Sequence, residues 1–512
     1  MKKILQNKKV YTALILVVAT MILSITSYTK VFMSNDGITR DLYGNSMSLV
    51  YDVIAMRYQN ENGIQYGLGY LYPYNGTFIS GITDESIGVE QGYSTSEKML
   101  VVADNEVTER EYQTGNTLIF LSGDKADVIE SRAENGYLYV YYDAEEVYSV
   151  DTQGELKFVC VYNNEEDRYM RIGDVQPYES QLGLQGKLLC ALPKSMIMHE
   201  VIVFGKMMLA LLYGLILTLI CYGIAKKYNV LFGVVFYLVT LLSPWMIGFS
   251  TNLYWVEFSW FLPMLIGLFC ANHIDSKKAR IFSYVAMIFA VAFKSACGYE
   301  YISTIMLGSI VFLLTDLTCA LIERKDKAQI KRLFSTTFFT GLSSLMGFVV
   351  AILSHAYLRG QGDVFSGLKA IYYIDVCRRT YGDPSMFQDV YADSLNASVF
   401  SVVLHYLGFD KSIILGVSKW VFIPLIAISF LILVIGLMKK KVEKKYLVLY
   451  LWLGVTAVSW FVLGKAHSYI HVTMNYVMWY FGYMQIIFYV PIQAAVNGIR
   501  QVGRKKKKNA AR

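Results

Sequence analysis

Charge is scarce in this chain. Of 512 residues only 17% are Asp, Glu, Lys or Arg, while 55% are hydrophobic. A soluble protein of this length would form two or more domains under a far more charged surface, which argues against a water-soluble enzyme. Cysteine is sparse as well. The seven cysteines stand at 160, 190, 221, 270, 297, 319 and 377 with no CxxC or other ligand spacing, which argues against a metal cluster. No internal repeat is visible, and no inter-span segment on the basic side is long enough to form an output domain.

What the chain does have is apolar blocks of about twenty residues, the length that crosses a ~30 Å hydrocarbon layer. Ten spans are expected, at 10–28, 201–225, 230–249, 253–272, 281–298, 301–322, 333–354, 414–438, 446–463 and 476–496. The first follows "MKK" and so resembles a signal peptide. Its long apolar run and the poor cleavage site in "SITSYTK" favour a retained anchor.

Basic clusters ("MKKILQNKK", "AKKYN", "SKKAR", "ERKDKAQIKR", "KKKVEKK" and "RQVGRKKKKNAAR") alternate with loops that lack them. Placing them together puts both termini in the cytoplasm of a multi-pass plasma membrane protein. Residues 29–200 carry 27 Asp/Glu against 12 Lys/Arg and fall outside. The tail "RKKKK" points to anionic lipid headgroups rather than to a nucleic-acid partner. Cys160, Cys190 and Cys377 lie on the oxidising side, where one disulfide among them is left open.

The expected fold is an α-helical polytopic membrane protein with a β-rich extracytoplasmic domain between spans one and two. In that segment, Leu42, Ser46, Leu49, Val53 and Met56 recur at helical spacing. From about 63 to 172, runs such as "TLIFLSG", "YLYVYYD" and "LKFVCVYN" between Gly, Asn and Asp turns read as a small antiparallel β domain. "YESQLGLQGKLLCALPKSMIMHE" leads back to the membrane with a break at Pro193. Residues 355–413 form a second outer loop in which "SLNASVFSVVLHYLGF" reads as an interfacial helix, 414–496 hold spans eight to ten, and 497–512 form a basic cytoplasmic tail.

Ionisable side chains recur at the outer ends of the spans. Glu257 lies about 6 Å inside span four. Lys294 stands near the outer end of span five, and Glu300, His355 and Arg359 sit at outer helix ends. Lys465, His467 and His471 emerge between spans nine and ten. Placement near the interface makes such charges tolerable without explaining their number. Glu257 and Lys294 are open to two readings, a neutralising pair or a functional one. The i, i+4 pair His467 and His471 suits a phosphate or a metal, although the third ligand is missing locally, or simply the headgroup level. Asp36 and Asp41 follow span one in "SNDGITRD". Asp41 is read as a helix cap or a base, and Asp36 as a candidate general base toward a sugar hydroxyl.

With its acidic residues soon after span one and its long first outer loop ending in "YESQLGLQG", the layout resembles the GT-C superfamily of membrane glycosyltransferases. The resemblance implies sugar transfer from a polyprenyl-phosphate donor to a glycan acceptor on the outer face, in surface polysaccharide or envelope glycan assembly. It implies Asp36 or Asp41 as catalytic base. Glu257, Lys294, Glu300, Arg359, Lys465, His467 and His471 would bind substrate. Membrane lipids complete the partners. No paired "DE" or "DxD" element stands in the loop, so no cofactor is assigned and a divalent metal stays open. The β-rich insertion also departs from the family layout. A transporter or flippase for a glycan or lipid-linked substrate is the alternative, with Pro244, Pro263, Pro424 and Pro491 as helix breakers. A membrane-anchored binding protein is the third.

Overall fold

The computed structural model describes the chain except residues 1, 34–43, 45, 59–64, 74–92, 95–97, 121–124, 144–158, 170–172, 197, 410–411 and 511–512. The protein is a predominantly helical membrane protein (69% helix) with a small sheet region. Among the described residues, seven helices are long and apolar enough to cross a membrane: Lys9–Thr29, Met198–Lys227, Lys277–Cys297, Ile302–Ile322, Lys327–Arg359, Lys419–Met438 and Lys444–Leu463. Their outward faces carry Leu14, Leu211, Phe289, Phe334 and Leu431, all exposed. In water, apolar surface of this extent would be an aggregation liability; in lipid it is the expected coat.

The remaining three expected spans are irregular. The third is a helix of 12 residues, Val230–Leu241, that stops at Ser243 and Pro244 before a short turn of helix, Pro244–Phe249. Proline restricts the residue before it and removes a donor, so the break falls there. The fourth is helical only over Phe258–Asn272. The tenth opens with a 3₁₀ turn, Asn475–Tyr480, and then continues as the Tyr483–Ala510 helix. Inside that helix Pro491 frees the Ile487 carbonyl. The Ser429 hydroxyl, from the neighbouring Phe422–Met438 helix, donates to that carbonyl at 2.7 Å.

The chain divides into two compact units. The larger comprises 1–45, 180–182 and 206–512. Its helices approach closely where side chains are small: a Cβ on Gly267 would lie 1.7 Å from the Ser309 carbonyl oxygen, so the two backbones touch.

The smaller unit comprises 46–179 and 183–205. It opens with the Ser48–Ala55 helix, which buries Leu49, Val50, Val53 and Ile54 on the face the sequence pattern marks. A seven-stranded antiparallel sheet follows: β2 (Tyr93–Ser94), β3 (Met99–Ala103), β4 (Thr117–Phe120), β5 (Lys125–Glu134), β6 (Tyr137–Asp143), β7 (Val159–Asn163) and β8 (Arg168–Tyr169). Their order is β2-β3-β6-β5-β4-β7-β8, and β1 (Gly69–Pro73) pairs separately with β9 (Gly173–Pro177). The period-2 alternation of β6 sends Leu138, Val140 and Tyr142 into the main core and Tyr139 to the opposite face. Tyr112, Tyr139 and Tyr142 are buried packing residues, while Tyr70 and Tyr72 stay exposed on β1.

The way back toward the membrane is the Leu184–Cys190 helix, interrupted at Pro193 before the next helix starts at Met198. Buried Arg57 spans that break, donating to the Pro193 and Met196 carbonyls at 2.5 and 2.6 Å. Cys190 is a free thiol that donates to the Val53 carbonyl at 3.6 Å, and Cys377 is also free. Burial pushes the Cys190 thiol up to about 12.

Candidate functional site

Within the larger unit, most of the expected polar residues occupy one end of the helix bundle. They arrive there at helix ends: Glu257 before Phe258–Asn272, Lys294 in the last turn of Lys277–Cys297, Glu300 just before Ile302–Ile322, and Arg359 closing Lys327–Arg359. Two left-handed residues turn the chain beside the two glutamates. Val256 (φ +49°) precedes Glu257 and Tyr301 (φ +63°) follows Glu300. For a β-branched residue this conformation is a costly outlier, of the kind that concentrates at functional sites.

Glu300 is buried. Its Oε1 accepts from the Gln181 side-chain amide and from Tyr254 Oη at 3.2 Å, and Gln181 also donates to Tyr254 at 2.8 Å. Gly298 is needed for this approach, because a Cβ there would lie 2.6 Å from Glu300 Oε2 and 2.8 Å from Gln181 Oε1. Lys294 donates to the Gly298 and Glu300 carbonyls, the latter at 2.6 Å. Its role is therefore a buckle that closes the helix end onto the Glu300 turn. It does not pair with Glu257.

Glu257 has Lys30 within electrostatic reach instead. Lys30 donates to the Ile247 carbonyl and, at 3.0 Å, to Ser250 Oγ. The residue is half-buried, and burial draws its ammonium down to about 7, with Glu257 opposing and Lys206 assisting. Glu257 itself is fully enclosed, and neither carboxyl oxygen has a hydrogen-bond partner among the described residues.

Between Glu257 and the histidines runs an aromatic wall. Trp255 stacks on Tyr301 (5.6 Å between centroids, 14°), Tyr301 meets Trp460 edge-on at 5.6 Å, and Trp460 meets His467 at 5.6 Å. The buried polar atoms along it stay unsatisfied among the described residues: Trp255 Nε1, Tyr301 Oη, Trp460 Nε1 and His467 Nδ1, with Gln181 Oε1 nearby. Buried polar groups are normally paired, so such a concentration in one place calls for a ligand or water.

Beside Arg359, which the sequence reading names, the positive charge comes from Arg378 and Arg379, which it passes over. Asp375 lies in a π-helical segment, Ile371–Val376, a rare geometry that often marks function. Arg359 pairs with it directly, and Arg378 and Arg379 approach its Oδ1 at 3.7 and 3.8 Å. Three guanidinium groups gather around one buried carboxylate. The pattern D-x-x-R-R, which puts both arginines one turn beyond the aspartate, is visible in the sequence as "DVCRR". Tyr299, one residue before Glu300, hydrogen-bonds with His355 Nδ1 at 3.1 Å.

His467 and His471 are neighbours, 4.5 Å between ring centroids. Burial lowers the His467 pKa well below 6.5, helped by His471, Arg379 and Arg378. Burial likewise lowers His471, with Glu300 pulling the other way and both arginines assisting. Both shifts favour the neutral imidazoles. Lys465 is turned away from them, its ammonium bonded to the Leu395 and Ala397 carbonyls at 2.6 and 2.7 Å. No group of three or more His, Cys, Asp or Glu suited to a metal occurs among the described residues. Asp36 and Asp41 lie outside the described residues.

A pH dependence follows for His467. Its folded pKa is depressed, so its contribution to stability is complete above the unfolded value of 6.5 and is lost as pH falls from there toward the lowered folded value. Thermal melting of the wild type should weaken below that pH more steeply than melting of His467→Gln. Parallel curves for the two proteins would rule the effect out.

No family model, curated protein or solved structure matches this chain.

Proposed function

We propose that the protein is a membrane glycosyltransferase that moves a sugar from a polyprenyl-phosphate donor to a glycan acceptor at the outer face of the plasma membrane. In this reading both termini are cytoplasmic, the chain crosses ten times, and residues 29–200 are extracytoplasmic. The observation that carries it is the gathering of three guanidinium groups around buried Asp375, next to a wall of buried polar atoms without partners among the described residues. A polyprenyl phosphate presents its anion at headgroup level, and Arg378 and Arg379 would meet it with charge-assisted hydrogen bonds. Asp36 or Asp41 would take the proton from the acceptor hydroxyl while that oxygen attacks the anomeric carbon. The bond from that carbon to the phosphate oxygen breaks, and the departing phosphate keeps the electron pair under the arginines' field.

The test is transfer by membrane vesicles carrying Asp36→Asn or Asp41→Asn at wild-type expression. One of the two should lower transfer by about a hundredfold or more, within the range of general-base catalysis. Full activity in both eliminates the assignment.

A transporter is the second reading, favoured by the interruptions at Ser243–Pro244 and Phe481–Gly482, since discontinuous helices often line substrate paths. Substrate counterflow without any transfer product would select it.

A further inference from the structure

At the opposite end of the larger unit, where the basic loops lie, a cavity of about 490 Å³ is built from the Tyr228–Leu231 turn, the Lys441–Tyr446 segment and the final helix. Its two walls differ. Ile432, Leu433, Val490 and Ala494 make an apolar side. The other side is a polar ladder in which Tyr489, Gln493 and Asn497, spaced i, i+4, i+8, share one helical face. Tyr489 Oη donates to Gln493 Oε1 at 3.3 Å, and Gln493 Nε2 donates to Asn497 Oδ1 at 2.9 Å.

Asn229 anchors the ladder. Its Oδ1 caps the Val230–Leu241 helix by accepting from the Phe232 amide at 2.9 Å, while its Nδ2 donates to Tyr446 and Tyr489 at 2.9 and 2.6 Å. The Tyr228 hydroxyl is enclosed and has no partner among the described residues. Lys441 and Arg500 line the same cavity, and the carboxylate beside them, Glu443, is bridged by Lys445 at 2.9 Å.

An apolar wall, a row of amides and phenols and two cations, at the level where a bundle leaves hydrocarbon, match one kind of occupant. We propose that this cavity binds the headgroup of an anionic phospholipid bearing free hydroxyls, of the phosphatidylglycerol type. Lys441 and Arg500 take the phosphate, Gln493 and Asn497 take the hydroxyls, and Ile432 and Leu433 lie along the first methylenes. Basic pockets between spanning helices recur as sites for anionic headgroups.

The full chain in phosphatidylcholine nanodiscs, titrated with phosphatidylglycerol, tests this by native mass spectrometry and melting. Each cation is expected to contribute about fivefold in affinity, so Lys441→Gln with Arg500→Gln should weaken phosphatidylglycerol binding about 25-fold. Gln493→Leu keeps the charge and removes the ladder; it should weaken phosphatidylglycerol about tenfold while leaving phosphatidic acid unaffected, the cost of losing one or two hydrogen bonds. Equal binding of phosphatidylcholine and phosphatidylglycerol by the wild type overturns the proposal. So does undiminished binding in the charge variant, or an equal melting shift from inorganic phosphate alone.

Discussion

Arg378→Gln combined with Arg379→Gln is expected to reduce sugar transfer by about a hundredfold or more, with each single change costing about tenfold. The estimate follows from charge-assisted hydrogen bonds to a phosphate, each worth ~1.5–3 kcal/mol. The two side chains stand 3.7 and 3.8 Å from Asp375 and are 24% and 16% exposed, so the melting temperature is expected to fall less than the transfer rate. Arg359 is the contrasting case. It pairs with Asp375 directly, and its side chain is only 6% exposed, so Arg359→Gln should cost stability first. Initial rates against donor concentration, beside melting curves for the same preparations, separate the two roles. Wild-type transfer by the double variant would remove the anion from this end of the bundle.

Lys294→Met should cause the largest loss of stability of any single change at the site. Lys294 is 2% exposed, and its ammonium closes the Lys277–Cys297 helix onto the Gly298 and Glu300 carbonyls. Methionine fills similar space but donates nothing, so the Gly298 and Glu300 carbonyls lose their charged donor. Losing hydrogen bonds from a charged donor costs ~1.5–3 kcal/mol each. A large fall in melting temperature is expected, together with loss of the Gln181–Tyr254–Glu300 contacts that the turn holds in place. An unchanged midpoint would mean that Lys294 is free to serve a substrate, as the sequence reading has it.

How far the sequence reaches differs from element to element. Membrane residence is legible because partition into lipid depends on local composition, and the helix at 327–359 or 444–463 needs nothing beyond its own residues to show it. The β segment is legible for the same reason, since alternation in "YLYVYYD" is a property of neighbours in the chain. The third span is less regular than its hydropathy: "VLFGVVFYLVTLLSPWMIGF" reads as one continuous helix, yet the helix stops after Leu241 ahead of Pro244 and a short separate turn follows. Hydropathy averages over a window and does not register a single missing donor.

The site divides along the same line. Depth from hydropathy brings Glu257, Lys294, Glu300, Arg359, His467 and His471 to one end of the spans, and the structure brings Lys294, Glu300, Arg359 and the histidines into one electrostatic neighbourhood. Partners are another matter. That Lys294 serves carbonyls, that Lys465 turns to the Leu395 and Ala397 carbonyls, and that Lys30 rather than Lys294 faces Glu257 all depend on contacts between segments far apart in the chain.

The sequence by itself determined that long apolar helices make this a membrane protein, because that follows from the transfer free energies of residues one after another. Only the tertiary structure decided which charge meets which. Pairing is a matter of a few ångströms, and the spacing of residues along one helix says nothing about the rotation of its neighbour.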